Sequence, residues 1–459
     1  MKKNDVIEVE IVDNGFKGEG IAKVDGFTIF IPALIKGEKA KVKILKVQKE
    51  IAFAKIEEII TKSKYRVEPD CPTYEKCGGC DLRHMTYLQT LRLKKEALVN
   101  TLRKELGDLV DNIKINKFVD MENPYYYRNK LQFPVARDEN GQAMIGVYSE
   151  RSHRIIPTTD CKIQNELAQE IAQNIVKFMN KNGITAYDEQ SLDGIVRHII
   201  IRTGYSTDEI MITLVVNDFK VPNEAELINY LTKKYRKIKT IVKNLNNQNT
   251  NVILGDKNQV IYGDGYIFDY LGEYKFKISP MSFYQVNPIQ TERLYEVAVN
   301  SAKLTGKENI FDLYCGIGTI GLFASKKAKM VYGIEVVPDA IVDAKRNAVI
   351  NNIKNVEFIA GEVETELPKL LKNEDVTPDV VFVDPPRKGC AASVIKKLLE
   401  VKPSKIIYIS CNPATLARDL KLLSESYDIK EITPVDQFCY THHVESVSVL
   451  KLRENSKCE

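Results

Sequence analysis

The chain has 459 residues, 44% of them hydrophobic and 28% charged, a balance that excludes a disordered or collagen-like polymer and, at this length, predicts two or three domains. Its formal charge of +4 permits an anionic partner without requiring one, and no apolar run is long enough to span a bilayer. The opening Met1-Lys2-Lys3-Asn4-Asp5 lacks the hydrophobic stretch of a signal peptide, and nine cysteines, an odd number, suit a reducing cytoplasm, where clustered thiols signal metal or catalysis rather than disulfides.

Residues 4–61 read as short strands with turn signals between them. Alternation runs over 6–12, Asn14-Gly15 and Lys17-Gly18 break it, and 27–31, 39–47 and 51–60 follow. Five strands in so short a segment predict a small closed or partly open β-barrel, a shape that often takes oligonucleotides. Lys36, Lys39, Lys41, Lys43, Lys46 and Lys49 crowd this segment; they make either a solvated strand face or a nucleic-acid surface.

Cys71, Cys77 and Cys80 come next, spaced C-x5-C-x2-C. Three thiols this close point to a bound metal or cluster, and Gly78 and Gly79 leave backbone amides free for cluster sulfurs. The spacing is not the C-x3-C-x2-C of radical S-adenosylmethionine enzymes. A fourth ligand must come from elsewhere, and Cys161 is the best candidate by elimination, since Cys315, Cys390, Cys411 and Cys439 fall in a later domain and Cys458 near the tail; structural zinc and a non-metal role are the other readings. A helix over about 88–107 follows, with Leu91, Leu98, Leu102 and Leu106 on its apolar face. Residues 120–275 mix strands (132–136, 195–202, 210–216) with helices (164–182, 223–234), and the polar run 243–251 reads as a loop.

From about 290 the pattern alternates strictly. A helix at 289–303 leads to strand 310–314, helix 319–327, strand 331–336, helix 339–351, strands 356–359 and 380–383, helix 391–400, strand 406–409, helix 413–424 and two late strands at 429–435 and 444–452. Apolar strands alternating with helices imply a parallel sheet covered on both faces, with its ligand site outside the carboxyl ends of the strands.

Asp312-Leu313-Tyr314-Cys315-Gly316-Ile317-Gly318 follows the first of these strands. Its glycines let the backbone approach a ligand, and Glu335, about 20 residues on, ends the next strand where ribose hydroxyls lie. The loop is read as departing from the Gly-x-Gly-x-x-Gly triplet, a lean from NAD towards S-adenosylmethionine. Asp384-Pro385-Pro386-Arg387-Lys388-Gly389 ends the fourth strand, and its prolines force the chain out of the sheet. Ser410-Cys411-Asn412-Pro413 sets a thiol between a β-branched strand and a helix opened by proline. The positive end of that helix favours a thiolate and hence a nucleophile; a buried structural cysteine is the alternative. His442-His443-Val444-Glu445 opens the last strand, where neighbouring histidines are expected on opposite faces and Glu445 is a general base only if burial raises its pKa.

Taken in order, Cys71 to Cys80, Tyr127-Arg128-Asn129-Lys130, Ser279-Pro280-Met281-Ser282-Phe283-Tyr284-Gln285-Val286-Asn287, Asp312 to Gly318, Asp384 to Gly389, Ser410 to Pro413 and His443-Val444-Glu445 make the chain resemble the RNA (uracil-5-)-methyltransferase family, in its 23S ribosomal RNA branch. The resemblance covers nearly all residues. It implies a multidomain fold: an N-terminal OB-like β-barrel (a TRAM domain, 1–62) that grips RNA, a central α+β domain (63–280) and a C-terminal α/β Rossmann-like class I methyltransferase domain (281–459), on which the helix at 88–107 packs. It implies a [4Fe–4S] cluster on Cys71, Cys77, Cys80 and Cys161, S-adenosylmethionine held by Gln285, Tyr314, Glu335 and Asp384, Cys411 as nucleophile and Glu445 as base. It also implies a flipped-out uridine of 23S ribosomal RNA as substrate, no membrane partner, a monomer and a cytoplasmic location. Phe283 or Tyr284 is a candidate stacking face for that base, and Arg128 and Lys130 are candidate RNA contacts. Three rivals stand beside this reading. The same chemistry on transfer RNA is one, although the family's bacterial transfer-RNA enzymes generally lack barrel and cluster. The others are an amino-group methyltransferase with no need of Cys411 and a non-catalytic RNA-binding factor.

Overall fold

The computed structural model describes residues 1–150, 152–372 and 376–454; Cys458 lies outside them. In the N-terminal segment alternate residues point inward. Ala40, Val42 and Ile44 meet Ala22, Ile29, Ile31, Ala52 and Ala54 in a small apolar core. The strands form one sheet in the order Val6–Glu10, Lys39–Gln48, Ile51–Thr61, Phe27–Ile31, Gly20–Val24 and Asp13–Asn14. No ladder closes it into a barrel, so of the two expected forms, closed or partly open, the closed one is corrected. The two ends of the sheet are successive pieces of one chain path, and around them isolated backbone bonds bridge the flanking segments: Ile11 N–H to Glu38 O (2.9 Å), Gly37 N–H to Ile11 O (2.8 Å) and Val12 N–H to Ile21 O (2.8 Å). Lys36, Lys39 and Lys41 pair with Asp13, Glu10 and Glu58 at 3.4, 3.6 and 3.2 Å, so these three belong to a solvated, charge-matched face.

The middle of the chain builds a seven-stranded sheet from Ile155–Pro157, Ala143–Tyr148, Lys130–Arg137, Val196–Thr203, Ile210–Val216, Ile238–Leu245 and Lys257–Tyr262, in that order. Helices Glu166–Lys181 and Glu224–Lys234 pack on it through Ile171, Ile175, Leu227 and Leu231. The polar run at 243–251 is not all loop: its first three residues complete strand Ile238–Leu245. Asn244 is tolerated there at full burial because its amide bonds Gly255 O (2.7 Å) and Asn258 Oδ1 (2.9 Å) while its carbonyl takes Gly255 N–H (2.7 Å).

The third sheet carries the chemistry. Its order is Val356–Ala360, Met330–Glu335, Asn309–Leu313, Val380–Val383, Lys405–Ser410, Glu445–Leu452, Tyr427–Val435 and Lys114–Ile115. The first five strands are parallel, and Glu445–Leu452 runs antiparallel to both neighbours. The last strand and helix Tyr87–Leu106 come from far upstream: Ile432 pairs with Ile115, and Leu98, Leu102 and Leu106 enter the same core as Leu416, Leu420 and Tyr427. The pattern missed helix Val363–Leu370, which is interrupted by Pro368, and the hairpin Ile267–Leu271/Tyr274–Ile278. No described helix is long and apolar enough to cross a membrane.

Helix Tyr87–Leu106 also reaches the turn before the last strand. Lys94, fully buried, donates to Asp436 Oδ1 (2.6 Å) and Phe438 O (2.9 Å), and the Tyr87 hydroxyl donates to Asp436 Oδ2 (2.7 Å). Asp81 takes the backbone N–H of His442 (3.0 Å) and meets its Nδ1 (2.7 Å). The turn 436–443 is therefore fastened from outside the sheet, by residues that follow the cysteine segment in sequence.

Candidate active site

Strand register decides which side chains meet. Ser410 pairs with Ser446 across an antiparallel ladder, so the next residue of one strand, Cys411, comes level with the preceding residue of the other, Glu445. Val383 pairs with Tyr408 and with Leu313, and Leu313 pairs with Ile334. Asp384, Tyr314 and Glu335 thus line up at the same carboxyl edge. All of them, with Gln285, border one cavity of about 1280 Å³, where such sheets bind ligands. The sequence-predicted catalytic pair and the predicted cofactor residues share this cavity.

Local devices hold the edge. Glu335 accepts from Gly316 N–H (3.2 Å) and Val337 N–H (2.9 Å), which ties the glycine turn to the following strand. Tyr314 sits at φ +66°, a strained value for a non-glycine residue that marks the turn as over-determined by its surroundings. Gly316, Gly318 and Gly321 stand two and three apart, the full Gly-x-Gly-x-x-Gly triplet. The lean that rested on a missing third glycine is corrected: the spacing does not choose the cofactor. Gly321 brings its helix against the strand, since its N–H bonds Asp312 Oδ2 at 2.8 Å and an added Cβ would meet that same oxygen at 3.1 Å. Asn412 caps helix Pro413–Leu423 by accepting from Ala414 N–H (3.1 Å), and its amide donates to Arg387 O (3.0 Å). It locks the nucleophile loop to the Asp-Pro-Pro-Arg loop.

The electrostatics differ from the sequence expectation. Burial pushes the Cys411 thiol up to about 11, Glu445 and Asp384 add to the rise, and Arg387 opposes it. The helix terminus alone therefore does not make a resting thiolate: burial first, and then two carboxyls at the same edge, outweigh it. Burial lifts Glu445, 5% exposed, to about 8, with Asp384 adding and Arg387 opposing. Burial lifts Asp384 to about 7 even though one side of it opens on the cavity. Asp312, behind them, rises to about 8 for the same reason. Neither Asp384 nor Glu445 has a side-chain hydrogen-bond partner among the described residues. Carboxyls so placed trade protons near neutrality, as acid–base groups must.

Other candidates moved. His442 and His443 precede the strand rather than opening it, and their rings lie 4.2 Å apart instead of on opposite faces; His443 borders the cavity. Tyr284 is buried in the core, whereas Phe283 is 71% exposed at the cavity mouth. Lys130 is half-buried beside Arg202 and Arg128, and burial followed by those cations takes it down to about 8. Arg128 acts on Cys161 rather than standing free on the surface. Arg387 went unassigned in the sequence although it lies in a quoted motif; its charge acts on Cys411, Glu445 and His443 together.

The four cysteines of the predicted cluster converge. Cys77 senses Cys161 and Cys71, Cys80 senses Cys161 and Cys77, and Cys161 senses Cys71. Among the described residues no three His, Cys, Asp or Glu side chains close on a single metal ion. Gly79 N–H points at Cys77 Sγ (3.2 Å). Arg83, whose charge acts on Cys80, leaves Nε and Nη2 buried without partners, and Arg128 leaves Nε so.

The chain matches two family models: the TRAM domain over residues 2–56 and tRNA (Uracil-5-)-methyltransferase over residues 87–453. It is 49% identical to an uncharacterized RNA methyltransferase of Clostridium acetobutylicum, over 98% of each chain. It is 44% identical to one of Staphylococcus aureus, over 98% of this chain and 99% of the other. Among solved structures it is similar to Pyrococcus abyssi tRNA (uracil-54, C5)-methyltransferase in complex with S-adenosyl-L-homocysteine, at 27% identity and a TM-score of 0.76, covering 96% of this chain and 99% of that one.

Proposed function

Since the chain belongs to the tRNA (Uracil-5-)-methyltransferase family of S-adenosylmethionine-dependent RNA enzymes, we propose that it methylates carbon 5 of a specific uridine in 23S ribosomal RNA through a covalent Cys411–uracil adduct. The observation that carries this reading is the register that sets Cys411 level with Glu445 inside the cavity bordered by Asp384, Tyr314, Glu335 and Gln285. The TRAM domain and the four converging cysteines support the ribosomal substrate. A second reading, transfer RNA, is favoured by the full-length likeness to a transfer-RNA enzyme. Incubating the protein and labelled S-adenosylmethionine with 23S and transfer-RNA transcripts decides between them: 5-methyluridine is expected in the ribosomal transcript, and label confined to transfer RNA overturns that choice.

Bound S-adenosylmethionine supplies a methyl group on a cationic sulfonium. An open cavity with an unpartnered carboxyl, Asp384, at its edge fits such a cation. Cys411, which borders the open cavity, loses its proton to solvent water, and its sulfur adds to uracil carbon 6, moving the electrons of the 5,6 double bond to carbon 5. Carbon 5 takes the methyl group, and the electrons of the broken sulfur–carbon bond stay on the donor's sulfur as a neutral thioether. Glu445 then removes the remaining carbon 5 proton, and the electrons of that bond restore the double bond as sulfur leaves. The uridine leaves its stack first, at a cost of a few kcal/mol, and Phe283 offers it an exposed ring at the mouth. Asp384 is neutral below about 7 and charged above it, so affinity for the cationic donor should strengthen as pH rises from 6 to 8. Calorimetric titration across that range checks this, with Asp384→Asn expected to bind weakly and without the slope.

Cys71, Cys77, Cys80 and Cys161 are assigned to a [4Fe–4S] cluster. The mutual electrostatic influence of these four thiols and the cations beside them, Arg83 at Cys80 and Arg128 at Cys161, support that reading, since such cations suit the negative charge of a thiolate-bound cluster. Anaerobically purified protein should contain iron and acid-labile sulfide in equal amounts; zinc alone would overturn the assignment.

A further inference from the structure

Phe438 and His443 border the cavity. Their ring centroids lie 5.9 Å apart. His443 lies 4.2 Å from His442, and His442 lies 5.5 Å from Phe16 of the N-terminal sheet. Four rings therefore run without a break from the reaction cavity to the first domain. Phe16, the outermost, is 40% exposed, a placement that burial does not explain.

The turn that carries Phe16 is built to hold it still. Gly15 N–H bonds Glu19 O (2.7 Å), Gly18 N–H bonds Gly15 O (2.9 Å), and the Asn14 amide reaches Leu34 O (2.8 Å). Gly18, at φ +83°, presses on Leu82 so closely that a Cβ would lie 2.2 Å from its Cδ2, which docks the turn against the residues that follow the cysteine segment. On the other side Asp81 fixes His442 through both its backbone and its ring. Cations flank the row: exposed Lys17 follows Phe16 at its outer end, and exposed Arg387 acts on His443 towards the cavity. A rigid exposed ring between cations is a platform for a nucleobase and its phosphates.

We infer that Phe16 is the stacking platform for a single-stranded nucleotide that flanks the target uridine, and that the ring row guides the RNA strand from the first domain into the cavity. The inference rests on the RNA-modifying reading of the cavity and names a specificity-determining residue outside it. A nucleotide held there forces the neighbouring strand to be unpaired, so the protein selects loops over duplexes at this point.

The test uses the full chain and a short single-stranded RNA with a central uridine. Removing one base–aromatic stack should weaken binding by about tenfold, so Phe16→Ala should raise both Kd and KM by that factor, with the loss in KM rather than kcat. Phe16→Trp should restore the affinity, which a purely structural role for the ring would not allow. Irradiation of the same RNA carrying 5-iodouridine next to the target should attach it to the peptide of residues 4–17. A Kd for Phe16→Ala within twofold of the parent, or Phe16→Trp as weak as Phe16→Ala, overturns the inference. Binding and cross-linking are read without turnover. A parent that binds through Phe16 yet makes no 5-methyluridine sinks the methylation reading alone, and a parent that methylates with Phe16 dispensable sinks this inference alone.

Discussion

Cys411→Ala is expected to abolish methyl transfer, lowering turnover by at least about ten-thousandfold, the scale on which loss of a covalent nucleophile acts. The parent, given donor and RNA containing 5-fluorouridine, should form an adduct that survives denaturation, because fluorine at carbon 5 leaves no proton to remove and the sulfur cannot depart. Intact-mass measurement should show the adduct on the parent and none on the variant. Donor binding should be little changed in the variant, since Asp384 and Glu335 remain in place at the cavity edge. An amino-group methyltransferase would keep its activity in Cys411→Ala, and a non-catalytic RNA binder would consume no donor in either protein. An unmodified parent mass would overturn the mechanism. The raised thiol pKa of about 11 adds a second expectation: the free enzyme should react slowly with iodoacetamide at neutral pH and faster as pH climbs, with no plateau below about 10.

The C-terminal sheet was legible because its strands are buried on both faces and separated by helices of regular period. Strand 380–383 and the junction at Ser410–Pro413 stand where the pattern put them. The pairing of Cys411 with Glu445 was legible only through the family resemblance, not from the local pattern. It depends on an antiparallel register between segments separated by a helix, a strand and the turn 436–443, and no local signal encodes a register between distant strands. The same limit hid Phe16, His442 and His443 as one row, since the row joins opposite ends of the chain. Whether the N-terminal barrel would be closed or partly open was not legible because strand count fixes neither shear nor the length of the edge strands; here Asp13–Asn14 pairs with Gly20–Val24 alone and makes no ladder with Val6–Glu10 at the other edge. The polarity of 243–251 misled for another reason. A buried asparagine can replace the backbone partners a strand lacks, and composition cannot tell that from a loop.

Charge was the hardest part to read. A cysteine before a helix looks activated when only its own element is considered. The sheet sets Glu445 and Asp384 at the same edge, and their combined effect with burial exceeds that of the helix terminus and Arg387. The resting site thus holds its sulfur as a thiol and its carboxyls near their midpoints, and activation waits for a cationic donor and the base to arrive. Such an arrangement protects an open cavity from adventitious alkylation.

Glu445→Gln separates attack from release. Glutamine keeps the shape but cannot take the carbon 5 proton, so the adduct should form on ordinary uridine RNA and persist, with turnover down by about 10²–10⁴-fold. Denaturing electrophoresis should show protein–RNA conjugate accumulating in the variant under conditions where the parent shows little; equal conjugate in both would remove Glu445 from the release step. The pH profile gives an independent check. Glu445 titrates near 8 and must be charged to act, so release in the parent should speed up as pH rises through that value and then level, while the variant stays slow throughout. Its effect on the nucleophile has the opposite sign. Above about 8 the parent carries a negative charge beside Cys411 that the variant lacks, so the thiol of Glu445→Gln should ionise at lower pH and alkylate faster than the parent at pH 9. Slower release together with a more reactive sulfur is a combination that general destabilisation of the fold does not produce, because a loosened site would bind donor and RNA poorly and accumulate no conjugate.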